Sequence, residues 1–202
     1  MAEERRKPYH TADSDWKNTV ILYLHDIVYL LTGLIVVFLL VFRLIVVSGD
    51  SMYNTLVDGD YVLLLSNVFY SDPEAGDIVV ISKKSFDNGS PIVKRVIAEE
   101  GQIVDIDFQQ GIVYVDGLPL EESYIYSPTT VYEGVDFPVI VEEGCIFVLG
   151  DNRQVSRDSR SPEIGMVDRR EVLGKAVFLL LPGSNHGKSP REFGRIGVIE
   201  HE

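Results

Sequence analysis

The 202-residue chain carries 18 Lys/Arg against 31 Asp/Glu, a formal net charge of −13. Because nucleic acid is itself strongly anionic, this charge excludes nucleic-acid binding as a function. The length allows one membrane-spanning segment and one domain large enough to bury its own core. Cys145 is the only cysteine, so an intrachain disulfide is excluded as well.

The N-terminal part of the chain is first polar and then strongly apolar. Residues 27–42 contain no charged side chain, and four further apolar residues follow Arg43. About 20 apolar residues span a bilayer, and an arginine near the end of a span extends its side chain to the interface. We therefore predict a single transmembrane helix over residues 26–47. A buried core helix is less favoured because the stretch has no polar face. A removable signal sequence is less favoured because this chain has no small-x-small site at the right distance.

The basic residues of the N-terminal tail, residues 1–25, indicate how the chain is oriented. Arg5, Arg6, Lys7 and Lys17 precede the apolar stretch, and basic residues beside a span stay in the cytoplasm. This predicts a single-pass protein of the cell membrane with a cytoplasmic N-terminus. Ser51 follows the predicted span by roughly 13 Å of extended chain at most, so its substrate is expected at the membrane surface.

After Leu56 the sequence changes to short β-prone runs separated by turn residues. Asp116-Gly117 between two apolar runs is the pattern of a tight hairpin. Runs of this length and spacing predict a mainly β, antiparallel domain outside the membrane over residues 48–182. Residues 121–138 are interpreted as a long loop, and residues 183–202 as a polar C-terminal tail. The predicted strands are residues 61–65, 78–82, 92–98, 103–108, 112–115, 139–141, 146–149 and 172–181.

Histidine is the usual base for a catalytic serine, and its placement here excludes that chemistry. His10, His25, His186 and His201 all lie outside the β-prone region, so a Ser-His-Asp triad has no middle member. The chain also lacks the HExxH and CxxC patterns of metal sites and the Gly-rich loop of phosphate sites. We therefore predict neither a metal nor a cofactor.

Lysine remains as a base for Ser51. Lys94 lies within an apolar run, where burial can lower its pKa from about 10.4 to about 7–8, which leaves it neutral enough to accept a proton. Taken alone, a strand lysine beside Arg95 is more often an edge charge, and a Gly-Asp-Ser sequence is more often a turn. The polar segment 150–160 adds Ser156, whose hydroxyl is suited to orient Lys94, among Asp and Arg residues that we interpret as a structural network.

Three segments together resemble the type I signal peptidases, the membrane-bound Ser-Lys endopeptidases of bacteria. SGDSMYNTL is similar to the serine box of this family, GDIVVIS with IVKRVIAEEG to its lysine box, and LGDNRQVSRDSR to its Gly-Asp-Asn-Arg box. The resemblance implies a signal-peptidase-like antiparallel β fold and cleavage of secretory preproteins after a small-x-small site. It further implies signal peptides and the lipid bilayer as partners, no cofactor, and a monomer.

The resemblance also implies a role for individual residues. Ser51 becomes the nucleophile that forms an acyl-enzyme, Lys94 the general base, and Ser156 the group that holds the lysine amine. The Ser51 amide binds the oxyanion, and because Gly49 stands where some relatives carry a serine hydroxyl, a backbone donor or a water takes the second place. Structural support is assigned to Arg95, Asp151, Arg153, Asp158 and Arg160. The substrate pockets are assigned to Val47, Met52, Leu56, Ile92 and Val93.

Two alternatives stay open beside this interpretation. A catalytically inactive relative that assists pilus assembly has the same layout, although Ser51, Lys94 and Ser156 are all retained here. A self-cleaving repressor has a similar β fold and a Ser-Lys pair. The apolar anchor and the acidic charge oppose the repressor, which needs a basic DNA-binding domain.

Overall fold

The computed structural model describes residues 12–199, with side chains from Trp16 onward. Within it the chain forms two compact units that meet in sequence at residue 41, an N-terminal helix and a β domain.

The first unit is the helix α1, Ala12–Val41. Its stretch Trp16–Val41 is 26 residues long and apolar enough to cross a membrane, and its side chains are not buried within the protein. The predicted tail of residues 1–25 lies outside the described residues up to residue 11 and is helical from Ala12 onward. A single apolar helix therefore precedes the β domain, as the sequence predicted.

The predicted end of this helix at residue 47 is wrong. Residues Phe42–Val46 form the strand β1, which pairs antiparallel with β2, Tyr61–Ser66, from Phe42 opposite Leu65 to Val46 opposite Tyr61. Hydropathy could not locate this boundary, because a lipid-facing helix and a strand of a hydrophobic sheet are both apolar. The catalytic serine candidate thus follows a strand rather than the membrane span directly.

Antiparallel strands dominate the second unit, which confirms the predicted mainly β fold. Each of the eight predicted runs contains a strand, and the predicted loop 121–138 contains none. The remaining strands are β3 Ile78–Ile81, β4 Ile92–Glu99, β5 Ile103–Asp107, β6 Ile112–Val115, β7 Leu118–Pro119, β8 Val139–Ile140, β9 Cys145–Leu149, β10 Val167–Asp168, β11 Val172–Leu181 and β12 Gly197–Val198. Short 3-10 turns occur at Asp87–Gly89, Arg169–Glu171 and Phe193–Arg195.

Two sheets organise these strands. The larger has the order β1-β2-β11-β3-β4-β9-β10, with β12 paired to β11, and the smaller has the order β7-β6-β5-β8. The predicted hairpin is present between β6 and β7, where Asp116 and Gly117 both have positive φ. Among the described strands, β1 has a partner only on its β2 side, so its outer edge is unpaired.

The hydrophobic core lies on both faces of the larger sheet. All four residues of β3 are buried. Ile78 and Val80 pack into one cluster and Val79 and Ile81 into another, since successive side chains of a strand point to opposite faces. The strand next to it, β4, therefore lies in a rigid, water-poor setting.

The C-terminal segment is not the polar tail that the sequence predicted. Asp60 is fully buried, and its carboxylate accepts hydrogen bonds from Gly183 N (2.6 Å) and from both terminal nitrogens of Arg195 (2.7 and 3.1 Å). Beyond Arg195, β12 pairs with β11 and Ile199 enters the core. A buried carboxylate needs donors, and here the C-terminal segment supplies three of them beside the Val57 N–H.

Candidate active site

The loop that carries Ser51 is a compact turn fixed by backbone hydrogen bonds. Tyr53 N donates to Asp50 O (3.1 Å) and Leu56 N to Met52 O (2.8 Å). Asn152 holds the turn from the opposite side, because its N–H donates to Ser51 O (3.0 Å) and its Nδ2 to Asp50 O (3.1 Å). The Ser51 turn and the loop after β9 therefore form one connected structure.

Gly150 makes this close approach possible. A Cβ atom at this position would lie 2.5 Å from Ser51 O and 2.1 Å from Ser156 Oγ. Neither distance is sterically allowed, so any side chain at residue 150 pushes the two loops apart.

The side chain of Lys94 extends from β4 to Ser51. Lys94 Nζ lies 3.0 Å from Ser51 Oγ and 2.9 Å from the Val93 carbonyl oxygen, and the lysine is only 2% exposed. Burial lowers the pKa of Lys94 to about 8, against the smaller opposing effect of the Asp158 and Asp151 carboxylates. The pair has the distance and the basicity that proton transfer from a serine hydroxyl needs.

Ser156 lies close to the Ser51 backbone, since a Cβ at residue 150 would approach both, but the predicted hydrogen bond to Lys94 is not formed. The Ser156 side chain is fully buried, and its Oγ has no hydrogen-bond partner among the described residues. The lysine amine instead uses the Val93 carbonyl. An unpaired buried hydroxyl is unusual in a folded protein.

Arg95 follows Lys94 on β4 and enters a different environment. Its Nε and Nη2 donate to the two carboxylate oxygens of Asp151 (2.9 and 2.8 Å), and Nη1 donates to Gly76 O (3.0 Å). Its guanidinium also stacks 3.9 Å above the Tyr124 ring. Thr55 donates to the same Asp151 carboxylate, so this ion pair connects β4 to the Ser51 turn.

The other predicted support residues tie the loop 150–160 to the long loop before β8. Asp158 accepts from Arg160 Nε and Nη2 (2.8 and 2.9 Å) and from Gly150 N (3.1 Å). Arg153 donates to Gly150 O (3.0 Å) and to Thr129 Oγ1 (2.6 Å) and pairs with Glu122. Both arginines are fully buried, a position compatible with a structural role.

Gly49 does not have the geometry expected of an oxyanion donor. Its φ of +85° turns the chain, and its N–H already donates to Asp58 Oδ1 at 2.9 Å. The Ser51 N–H, by contrast, donates no hydrogen bond within the described part of the chain.

An apolar groove of about 330 Å³ lies beside Ser51, between the end of β1 and the start of β4. Four of the five predicted pocket residues line it, namely Val47, Met52, Ile92 and Val93. The fifth, Leu56, does not line this groove; it is buried in the core and lines a separate cavity with Thr55 and Arg95. The turn from Met52 to Leu56 directs it away from the groove.

Sequence reasoning missed His186 of the C-terminal segment. Its Nε2 lies 3.0 Å from Asp50 Oδ1 and its Nδ1 lies 3.3 Å from Asp58 Oδ2. Both ring nitrogens are therefore used by carboxylates, which leaves none to act as a base for Ser51. No sequence signal connects residue 186 to residue 50, because the contact depends on how the C-terminal segment folds back.

No cluster of three or more His, Cys, Asp or Glu side chains suited to a metal ion occurs within residues 12–199.

A family model described as "Signal peptidase, peptidase S26" matches residues 20–181. The chain belongs to this signal peptidase family. It is 37% identical over 151 residues to the probable signal peptidase I-1 of Synechocystis, a match that covers 70% of this chain and 72% of that protein. It is 33% identical over 190 residues to the signal peptidase I of Bacillus licheniformis, covering 90% and 96% of the two chains. A crystal structure of a signal peptidase I from Enterococcus faecalis is 32% identical, covers 52% of this chain and 96% of its own, and has a TM-score of 0.42.

These matches confirm three of the sequence predictions. The family, the signal peptidase I activity and the class of serine peptidase all agree with them. The roles of individual residues and the membrane orientation remain predictions.

Proposed function

We propose that this signal peptidase cleaves signal peptides from secretory preproteins after a small-x-small site, with Ser51 as nucleophile and Lys94 as general base. The observation that carries the proposal is the 3.0 Å separation of Lys94 Nζ from Ser51 Oγ. A buried amine with a pKa of about 8 is partly neutral near pH 7, and only the neutral amine can accept a proton. Since both residues come from one chain, a monomer suffices.

The reaction proceeds in two halves. Neutral Lys94 accepts the Ser51 proton while Ser51 Oγ attacks the carbonyl carbon of the scissile peptide bond. The resulting ammonium then donates that proton to the departing amine, which becomes the N-terminus of the mature protein. The signal peptide stays as an ester on Ser51 until water, deprotonated by Lys94, releases it.

The surrounding groups support both halves of the reaction. The Ser51 N–H is unused by the described residues, so it is available to the oxyanion. A neutral lysine amine has two N–H bonds, of which one is directed to the Val93 carbonyl. The unpaired Ser156 Oγ is the natural acceptor for the other, and we assign it the role of holding the amine.

The groove favours an extended peptide as substrate. Residues 92–94 pair with β3 but not with β9 among the described strands, and the outer edge of β1 is unpaired. Both free edges border the groove, so a peptide can bind as an added strand between them. The lining from Val47, Met52, Ile92 and Val93 then accepts the small side chains before the cleaved bond.

The orientation is part of the proposal. The basic residues Arg5, Arg6, Lys7 and Lys17 favour an N-terminus in the cytoplasm and a β domain, from β1 onward, on the outer face. External protease added to spheroplasts is expected to degrade the β domain and to spare an epitope at Ala2. Protection of the β domain would refute this orientation.

The activity itself is tested by incubating the detergent-solubilised protein with a preprotein that carries an Ala-x-Ala site. The expected product has a new N-terminus directly after the second alanine, identified by N-terminal sequencing. Ser51→Ala serves as the matched control and is expected to give no product. Absence of cleavage by the unaltered protein would favour the inactive, assembly-assisting alternative.

A further inference from the structure

A second cavity, of about 270 Å³, borders the Ser51 turn. It is distinct from the apolar groove, because the two share no lining residue. Asp50 directly precedes Ser51 and Tyr53 follows it by two residues, so the cavity begins within a few ångströms of the nucleophile. The lining consists of Asp50, Tyr53, Tyr126, Asn152, Asn185 and Lys188.

The position of this cavity relative to the groove decides what it can hold. In the proposed function, residues before the cleaved bond fill the groove formed by residues 45–48 and 91–93. The chain after the bond must then leave Ser51 outside this groove, and the cavity bordered by Asp50 and Asn152 also adjoins the Ser51 turn. Asn152 bonds the backbone of both Asp50 and Ser51, so this wall is fixed to the nucleophile.

The two charged side chains of the cavity, Asp50 and Lys188, differ in their partners. Asp50 is one of its two charged side chains and already lies 3.0 Å from His186 Nε2. Lys188, the other, is exposed and forms no ion pair with any of the described residues. It is held by a defined turn, in which Lys188 N donates to Asn185 O (3.0 Å) and Asn185, His186 and Gly187 have positive φ.

The aromatic wall suits a peptide. Tyr53 and Tyr126 meet edge to face with ring centroids 4.9 Å apart, and Tyr126 is exposed. Exposed aromatic side chains with a polar end are well suited to bind an extended chain.

We propose that this cavity binds the first residues of the mature protein, and that Lys188 favours an acidic side chain at the second or third residue after the cleaved bond. The inference rests on the proposed function. Asn185 and Lys188 lie beyond residue 181, where the match to the family model ends.

The test measures kcat/KM for the full-length protein in detergent with preprotein peptides that differ at one residue. Each peptide carries Ala-x-Ala followed by Asp, Asn or Lys at the second position of the mature part, and a second set varies the third position. The enzymes are the unaltered protein, Lys188→Gln, Lys188→Glu and Lys84→Glu. Lys84 is an exposed lysine of the loop after β3 and undergoes the same charge change away from either cavity.

We expect the unaltered protein to prefer Asp over Lys by roughly threefold to tenfold at one of the two positions, the size of an exposed ion pair gained and then reversed. Lys188→Gln should remove most of this preference and Lys188→Glu should invert it, while Lys84→Glu retains it. The preference should also weaken as salt is raised from 0.05 to 0.5 M, because exposed charges are screened.

The outcomes separate the two proposals. If the unaltered protein cleaves none of the peptides, the proposed function fails. If it cleaves all of them and Lys188→Glu leaves the Asp-to-Lys ratio unchanged, the binding of the mature chain beside Lys188 is overturned. An equal change in Lys84→Glu would also overturn it, because the effect would then come from the overall charge of the domain.

Discussion

Lys94 and Arg95 are adjacent basic residues of β4. Both are 2% exposed, but their partners differ. Arg95 is matched by the Asp151 carboxylate through two hydrogen bonds. Lys94 has no carboxylate within ion-pair distance among the described residues and contacts Ser51 and a backbone carbonyl. Successive side chains of a strand point to opposite faces. On one face of β4 the charge of Arg95 is paired with a carboxylate, and on the other face the charged form of Lys94 lacks such a partner and is destabilised.

The difference shows how this site separates stability from chemistry. The Arg95–Asp151 pair, with Thr55 bonded to the same carboxylate, connects β4 to the Ser51 turn and compensates both buried charges. The other face of β4, on which Lys94 meets Ser51 and which we call the dyad face, has no such ion pair. Burial there lowers the pKa of Lys94. The Arg95–Asp151 pair thus holds β4 and the Ser51 turn in the arrangement in which Lys94 is buried and its amine can be neutral.

Removing the reacting groups on the dyad face should have the largest effect. Ser51→Ala and Lys94→Ala are each expected to lower kcat/KM by several powers of ten, as for other nucleophiles and bases that act as a unit. A variant with all four histidines replaced by glutamine should keep most activity, because both nitrogens of His186 face carboxylates. Loss of preprotein cleavage in that variant would overturn the assignment of Lys94 as the base.

Removing the Arg95–Asp151 ion pair should lower the stability of the fold. Arg95→Met leaves the fully buried Asp151 carboxylate without its partner, and we expect a loss of about 3–5 kcal/mol in the free energy of unfolding. Urea denaturation of the full-length protein in detergent measures it. Adding Asp151→Asn to Arg95→Met removes the stranded charge and should restore part of the loss. Equal stability of Arg95→Met and the unaltered protein would mean that the ion pair is not structural.

Removing the amine of Lys94 should instead raise the free energy of unfolding. Lys94→Met keeps the apolar bulk, and the pKa difference between 10.5 and about 8 corresponds to a gain of up to about 3 kcal/mol. Below pH 8 both folded and unfolded chains bind the proton, so the gain is constant there. Between pH 8 and 10.5 the unfolded chain binds more protons, so the stability of the unaltered protein rises with pH and the gain vanishes.

Urea midpoints of Lys94→Met and the unaltered protein at pH 6.5 and pH 10.5 check this prediction. Arg95→Met serves as the control, since its loss should persist at both pH values. A clear loss of stability in Lys94→Met at pH 6.5 would show that Lys94 is a charged structural residue.

The smallest expected effect concerns Ser156. In the unaltered protein kcat/KM should fall tenfold per pH unit below about pH 8, where Lys94 becomes protonated. Ser156→Ala removes the hydroxyl that we assign to hold the amine during the reaction and should lower kcat/KM roughly 10- to 100-fold. The midpoint of the pH profile should shift down by less than one unit, because the site becomes less polar. Unchanged kcat/KM and an unchanged profile would remove Ser156 from the site.

Much of the fold and the central pair could be predicted because they depend on local chemistry. A long apolar stretch has few uses besides a membrane helix, and short β-branched runs between turn residues favour strands. Lys94 could be selected for the same reason, since it lies within an apolar run and the four histidines lie outside the β region. The structure brings Lys94 and Ser51 to 3.0 Å.

The errors concern features that only tertiary contacts determine. Phe42–Val46 is equally apolar as helix or strand, and pairing with β2 decides it. The resemblance implies roles for Leu56 and for the Gly49 position, whereas the turn from Met52 to Leu56 and the Asp58 carboxylate decide what Leu56 and the Gly49 N–H contact.

The polar C-terminal segment shows the same division between sequence and structure. Its composition indicates a solvated tail, and composition alone cannot reveal that a buried carboxylate more than 100 residues away requires its donors. Local sequence therefore determined which groups this protein has for chemistry. The burial of charge and the pairing of distant segments, which depend on the whole fold, decided which of those groups are free to react.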